Sequence, residues 1–271
     1  MSGFFGFLDF TKEGPGISKN APKKKAFFVF WETYLRNFWR FFSINLVFFA
    51  TSLLVFTRGI ACAGITNVTR NIARDKHSFG ISDFFETIKK NWKQALSVGI
   101  INIIITAFIL FGVWFYNESY LQTQQNLSLV GLVITLLLLV VFGMMNFYIY
   151  TLMITFNFSV KSLYANSFKF VLLNFWRNLL CALCIVLVYG LYAFIALLAN
   201  DVRIFLIELI VMIATLPTFN RLLIQFFTFG SIKKYIIDPY YKENPDADIE
   251  KRRNLGLEVP DDDEDDAISW E

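Results

Sequence analysis

The stretch Leu127–Phe158 reads LSLVGLVITLLLLVVFGMMNFYIYTLMITFNF and contains no Asp, Glu, Lys, Arg or His. A helix needs about 20 apolar residues to cross the hydrocarbon core of a bilayer, so this run is long enough by itself. Ala95–Tyr116 is a second uncharged run of spanning length. The whole chain follows suit, at 56% hydrophobic, 18% aromatic and only 17% charged residues, with a mean hydropathy of +0.51. A soluble domain of this size needs a larger polar shell. The chain is therefore expected to be an all-α, polytopic bundle whose first partner is the lipid bilayer.

Working outward, further apolar runs appear at Phe41–Thr57, Leu179–Ala199 and Val202–Phe229. The loops between the strong runs are read at Asn117–Asn126 and at Asn200-Asp201. Arg58–Arg74 is ambiguous, because it is rich in small residues (Gly59, Ala61, Cys62, Ala63, Gly64) yet carries Asn67 and Arg70. Small residues allow close helix approach inside a bundle. The segment is read as a short crossing helix or a re-entrant one.

Three aromatic and basic segments precede apolar runs. They are Phe30-Trp31-Glu32-Thr33-Tyr34-Leu35-Arg36-Asn37-Phe38-Trp39-Arg40, then Phe84-Phe85-Glu86-Thr87-Ile88-Lys89-Lys90-Asn91-Trp92-Lys93, and a weaker version with Phe168 and Phe175-Trp176-Arg177-Asn178. Each is expected to be an interfacial helix, with aromatic rings at headgroup depth and cations toward phosphates. Asp83 and Glu86 have the spacing of a capping box at the start of the second. Lys and Arg cluster in the N-terminal arm, in 70–93, around 161–177 and at Lys233-Lys234, while Asn117–Asn126 and Asn200–Val202 have none. Cationic flanks face the cytoplasm. Both termini and the 75–94 loop are thus expected on the cytoplasmic side of the membrane. About six spans follow, arranged as three hairpins, each introduced by a cytoplasmic interfacial helix.

The expected division is a basic arm over 1–25, a membrane domain over 26–230 and a polar tail over 231–271. The run Asp261–Asp266 is too charged to bury, and the tail is expected to be disordered. Gly3–Phe10 is too short for the apolar part of a signal peptide, and no basic residue precedes it.

Ionisable and amide side chains inside apolar runs are the candidate functional residues, since burying a charge at the bilayer centre costs roughly 2.5–3.5 kcal/mol even on the mildest scale. Asn45, Arg58, Arg70, Asn102, Asn146, Glu208 and Arg221 qualify. For the charged ones the plainer readings are pairing of Glu208 with Arg203, snorkelling of Arg70 and Arg221 to the inner boundary, and placement of Arg58 at the outer end. For the asparagines it is a helix–helix hydrogen bond. Cys181 and Cys184 form a CxxC within an apolar span and are read as packing residues, because a reactive pair needs an electropositive, accessible setting. His77 is the only histidine. No catalytic residue, cofactor or metal site is expected, nor binding to nucleic acid, and the oligomeric state is not readable.

The residues Thr57-Arg58-Gly59, Arg74-Asp75, Asp83-Phe84-Phe85 and Asn91-Trp92-Lys93-Gln94-Ala95 resemble the YesL-like family of bacterial membrane proteins, domain-of-unknown-function family 624. Gly14-Pro15-Gly16, Pro22-Lys23-Lys24-Lys25, Phe38-Trp39 and Asn45-Leu46 look like its clostridial branch. Asn71 and Lys76-His77 depart from the family pattern. Members are often encoded beside carbohydrate-uptake systems. The resemblance thus implies a non-enzymatic accessory or regulatory role in sugar import, with ABC importer subunits as partners. The alternative is a small-solute transporter whose pathway is lined by Asn102, Asn146, Arg221 and Glu208.

Overall fold

In the computed structural model, residues 25–198 and 201–244 are described. The arm up to Lys24, Asn200 and the acidic run Asp261–Asp266 lie outside them. The described chain is helical: α1 (Ala26–Arg36), α2 (Phe38–Thr51), α3 (Arg58–Ala73), α4 (Ile81–Thr123), α5 (Asn126–Thr155), α6 (Val160–Leu173), α7 (Phe175–Leu198), α8 (Val202–Ile232) and, after a π-helical turn at Lys233–Ile237, the short α9 (Asp238–Glu243). Four helices are long and apolar enough to cross a membrane: α4, α5, α7 and α8 with its extension. No more than 17% of any of their apolar windows is buried within the protein. Long apolar faces left that bare, including Phe108, Leu137, Leu187 and Ile210, belong against lipid. This is a membrane protein.

The first hairpin departs from the six-span expectation. Gly59 at the start of α3 packs directly on Ala95 and Gly99 of α4, and Asn67 donates to Thr87 Oγ1 at 2.7 Å. So α3 runs antiparallel to the first half of α4 only. Beyond Gly99, α4 continues to Thr123, about 36 Å further at 1.5 Å per residue. The tip joining α2 to α3 therefore stops part way along the α4–α5 hairpin, with Leu53, Leu54, Val55 and Phe56 exposed on it. A hairpin that enters and returns changes sides twice or not at all, so the parity inferred from the cationic flanks survives a reduced count of long spans.

Helix α3 is the most enclosed element. Ala61, Ala63, Ile65 and Val68 are fully buried, because side chains this small let α4, α5 and α8 close around it. The long α4 fuses what the sequence divides into an interfacial helix, a span and a loop. Its start is fixed by Gly80 at φ 65° and by Asp83, whose Oδ2 accepts from Ser78 Oγ at 2.7 Å and from the Phe79 N–H at 3.1 Å. Asp83 is thus the residue that reaches back, not the start of a box closed by Glu86. At the other end the helix passes through the expected loop Asn117–Asn126, held by Gln122 donating to Glu118 at 2.9 Å, one turn away. It ends at Gln124, which adopts the left-handed conformation (φ 55°).

The threefold pattern is partly preserved. Asn37-Phe38-Trp39-Arg40 and Asn174-Phe175-Trp176-Arg177 are the same tetrapeptide. Both asparagines sit at a helix break, between α1 and α2 and between α6 and α7. In the second copy the helix runs unbroken through Asn91. Helix α1 buries Phe30 and Tyr34 against Phe219, with ring centroids 5.4 Å apart in each pair, and leaves Phe27, Phe28 and Trp31 exposed. Such a face fits an interfacial helix.

Candidate functional site

Where α2 and α3 stop and α4, α5 and α8 continue, a cavity of about 490 Å³ opens. Each wall has a local cause. Gly59 and Gly99 bring α3 and α4 into backbone contact, and a Cβ built on Gly99 would lie 2.8 Å from the Gly59 Cα. That contact places Arg58 and Cys62 opposite Asn102 and Thr106. One turn apart on α5, Asn146 and Tyr150 face the same space, and Arg221 enters from α8.

The amides and phenols form one network. Asn102 Nδ2 donates to Asn146 Oδ1 at 2.8 Å and to the Tyr150 hydroxyl at 3.3 Å. The Tyr164 hydroxyl donates to Asn102 Oδ1 at 2.7 Å, and Asn146 Nδ2 donates to the Phe142 carbonyl at 2.9 Å. With its amide groups engaged on both sides, Asn102 is held in one orientation.

The cations are held differently. The Arg221 guanidinium lies over the Tyr150 ring, 5.0 Å from its centroid, and neither Arg221 nor Arg58 has a hydrogen-bond or ion-pair partner among the described residues. Among the described residues, no Asp or Glu lines the cavity. Arg58 is thus not at the outer end of the bundle; it lies beside Gly99 and Asn102, far short of the Thr123 end of α4. Arg221 is not paired off along the boundary but stacked on a ring inside the bundle, where a cation–π contact contributes about 0.5–2 kcal/mol.

Four of the seven candidate residues therefore converge: Arg58, Asn102, Asn146 and Arg221. The other three do not. Asn45 braces α2 to α8, donating to the Ala214 carbonyl at 2.7 Å and to Thr218 Oγ1 at 2.9 Å while accepting from the Thr218 N–H at 2.9 Å. Its amide bridges the backbone pair next to Pro217, the proline inside α8, where the ring removes one helical hydrogen bond and strains the neighbours. Arg70 lies at the opposite end of α3, donating to Thr155 Oγ1 at 2.8 Å and Asn67 Oδ1 at 2.7 Å. Glu208 is outside the cavity, so the pathway expected from Asn102, Asn146, Arg221 and Glu208 loses its acid. The expected Glu208–Arg203 pair is also absent: Arg203 binds Asp201 at 2.7 Å, and both Glu208 carboxylate oxygens are buried with no hydrogen-bond partner among the described residues. Asp201 is the nearer acceptor because it caps α8, taking the Arg203 N–H at 2.8 Å.

Tyr150 and Tyr164, which share the hydrogen-bond network of Asn102, are residues that the sequence does not single out. The spacing of Tyr150 four residues after Asn146 was the available signal. Cys181 is fully buried in the core, consistent with a packing residue, and His77 is exposed, with its ring against Phe79.

No curated protein and no solved structure matches the chain. A family model described as "Protein of unknown function, DUF624" matches residues 41–113. That segment comprises α2, α3 and most of the span of α4, and so supplies Arg58, Gly59, Cys62, Gly99 and Asn102 to the cavity, while Asn146, Tyr150 and Arg221 come from the remainder. The match over residues 41–113 is a likeness to that family of unknown function, and it agrees with the resemblance read from the residues of this segment.

Proposed function

We propose that this membrane protein binds a small organic anion in the cavity between α3, α4, α5 and α8, as the central site of a small-solute transporter, without an enzymatic step. The observation that carries the reading is the pair Arg58 and Arg221, two cations that among the described residues have no counter-charge, around a cavity with no acidic lining there. A guanidinium in hydrocarbon is costly, and a carboxylate or phosphate bound between two of them offsets that cost through charge-assisted, bidentate hydrogen bonds. The volume, about 490 Å³, falls in the range of small-ligand pockets, roughly 300–1,000 Å³. Asn102, Asn146 and Tyr150 supply polar edges for the rest of the solute. The cationic flanks support an orientation with both termini in the cytoplasm of a bacterial cell.

The test is flux into liposomes containing this protein alone, using labelled small carboxylates, organic phosphates and uncharged sugars. Anion uptake above protein-free liposomes that is lost in Arg221→Gln is the expected result. Transport of neutral sugars at equal rate, unaffected by Arg221→Gln, would refute the reading.

A further inference from the structure

A second cavity, about 850 Å³, lies at the basic end of the bundle between the ends of α3 and α5, and the π-helical turn and α9 form its other wall. Arg70, Arg74 and Lys76 line it, and among the described residues no Asp or Glu does. Asp75, the nearest acid in sequence, turns away to pair with Arg36 at 2.7 Å. Arg70 is fixed by Thr155 and Asn67, yet its buried Nε has no partner. Arg74 stacks on Phe229 at 4.3 Å, and its buried Nη2 has no partner either. Burial together with the charge of Arg70 pushes Arg74 down to about 9. Lys76 is lowered as well, by burial first and then by Arg74 and Arg70. Three cations that raise one another's cost, lining one cavity with no acid among the described residues, suit a multiply charged oxyanion. The facing wall is apolar, with Phe156 and Ile236, which suits an organic substituent.

We propose that this basic-end cavity is a binding site for an organic phosphate, its phosphate group held by Arg70, Arg74 and Lys76 and its organic part against Phe156 and Ile236. The site is separate from the Arg58–Arg221 cavity and shares no lining residue with it. The same chemistry is offered by an anionic phospholipid headgroup and by a soluble phosphate ester.

The experiment uses the full chain in phosphatidylcholine nanodiscs. One arm titrates glycerol 3-phosphate and follows binding by calorimetry. The other adds phosphatidic acid and counts retained lipid by native mass spectrometry. Binding of one equivalent in either arm, weakened at least tenfold by Arg74→Gln and by Lys76→Gln but not by the exposed Lys89→Gln, is the expected result. Binding in the first arm identifies a soluble ester, and in the second arm alone a lipid. Should Arg74→Gln fail to fold, Lys76→Gln, in the loop after α3, carries the comparison. Binding in neither arm, or binding equal in Lys76→Gln and wild type, overturns the proposal.

Discussion

Asn45 offers the sharpest test of how the bundle is held. Its amide satisfies the Ala214 carbonyl and the Thr218 N–H, which flank Pro217 in α8, and adds a bond to Thr218 Oγ1. Asn45→Leu keeps the branching and heavy-atom count of the side chain and removes all three bonds. A buried backbone group left unsatisfied costs about 1–3 kcal/mol, so the two groups together set an expectation of roughly 2–6 kcal/mol. The low end applies if Thr218 N–H and Ala214 carbonyl relax toward each other. Pro217→Ala changes that balance, since it restores an N–H and removes the ring's clash with the preceding turn. In that background the helix closes its own ladder, and Asn45→Leu should cost no more than about 1 kcal/mol, the usual scale of an interhelical hydrogen bond in a membrane. The assay is a double-mutant cycle by SDS-induced unfolding in mixed micelles, followed by tryptophan fluorescence. A coupling of about 1–3 kcal/mol between the two positions is expected. Additive costs, equal within about 0.5 kcal/mol, would show that Asn45 does not compensate for the proline.

The same unfolding assay separates two glycines. Gly59→Val forces a side chain into Ala95 and Gly99 and should cost about 1–3 kcal/mol or abolish folding, whereas Gly143→Ala, with nothing within 4 Å of the new Cβ, should be neutral or stabilising by up to about 1 kcal/mol. A cysteine at Gln124 should be labelled by an impermeant reagent in intact cells and one at His77 should not; equal labelling would contradict the placement of the α4 ends on opposite sides. Trp39 and Trp176, both exposed at the starts of α2 and α7, should be quenched by lipids brominated near the headgroup, and quenching that peaks at the bilayer centre would contradict interfacial α1 and α6.

The membrane class was legible because Leu127–Phe158 has no charge to interrupt it, and one such run suffices. Element boundaries were less so. The polar stretch after Tyr116 looks like a loop by composition, yet Gln122 and Glu118 satisfy each other along the helix. Composition does not register that pairing. The depth of the first hairpin was hidden for a different reason. Phe41–Thr57 and Arg58–Arg74 carry no mark of where they meet α4, and only the contact of Gly59 with Gly99 fixes it. Within the cavity, Asn102, Asn146 and Arg221 stood out because polar groups in apolar helices need a reason. Their convergence depends on helix register, which no local pattern contains. Tyr150 and Tyr164 were overlooked because a tyrosine in an apolar run is an ordinary packing residue until its hydroxyl finds an amide. Glu208 shows the converse: a carboxylate placed by chain distance near Arg203 loses that partner to the capping residue Asp201.

The central claim, that Arg58 and Arg221 together hold an anion, is tested most directly by equilibrium binding to the purified protein. Thermal unfolding in detergent is recorded against rising concentrations of small mono- and dicarboxylates and uncharged sugars, at constant ionic strength. A ligand present at 100 times its Kd stabilises by about 2.7 kcal/mol. The account predicts a saturable rise in the transition temperature with at least one anion class, abolished in Arg221→Gln and weakened in Arg58→Gln. A rise of the same size in Arg221→Gln, or one produced by uncharged sugars alone, would contradict it.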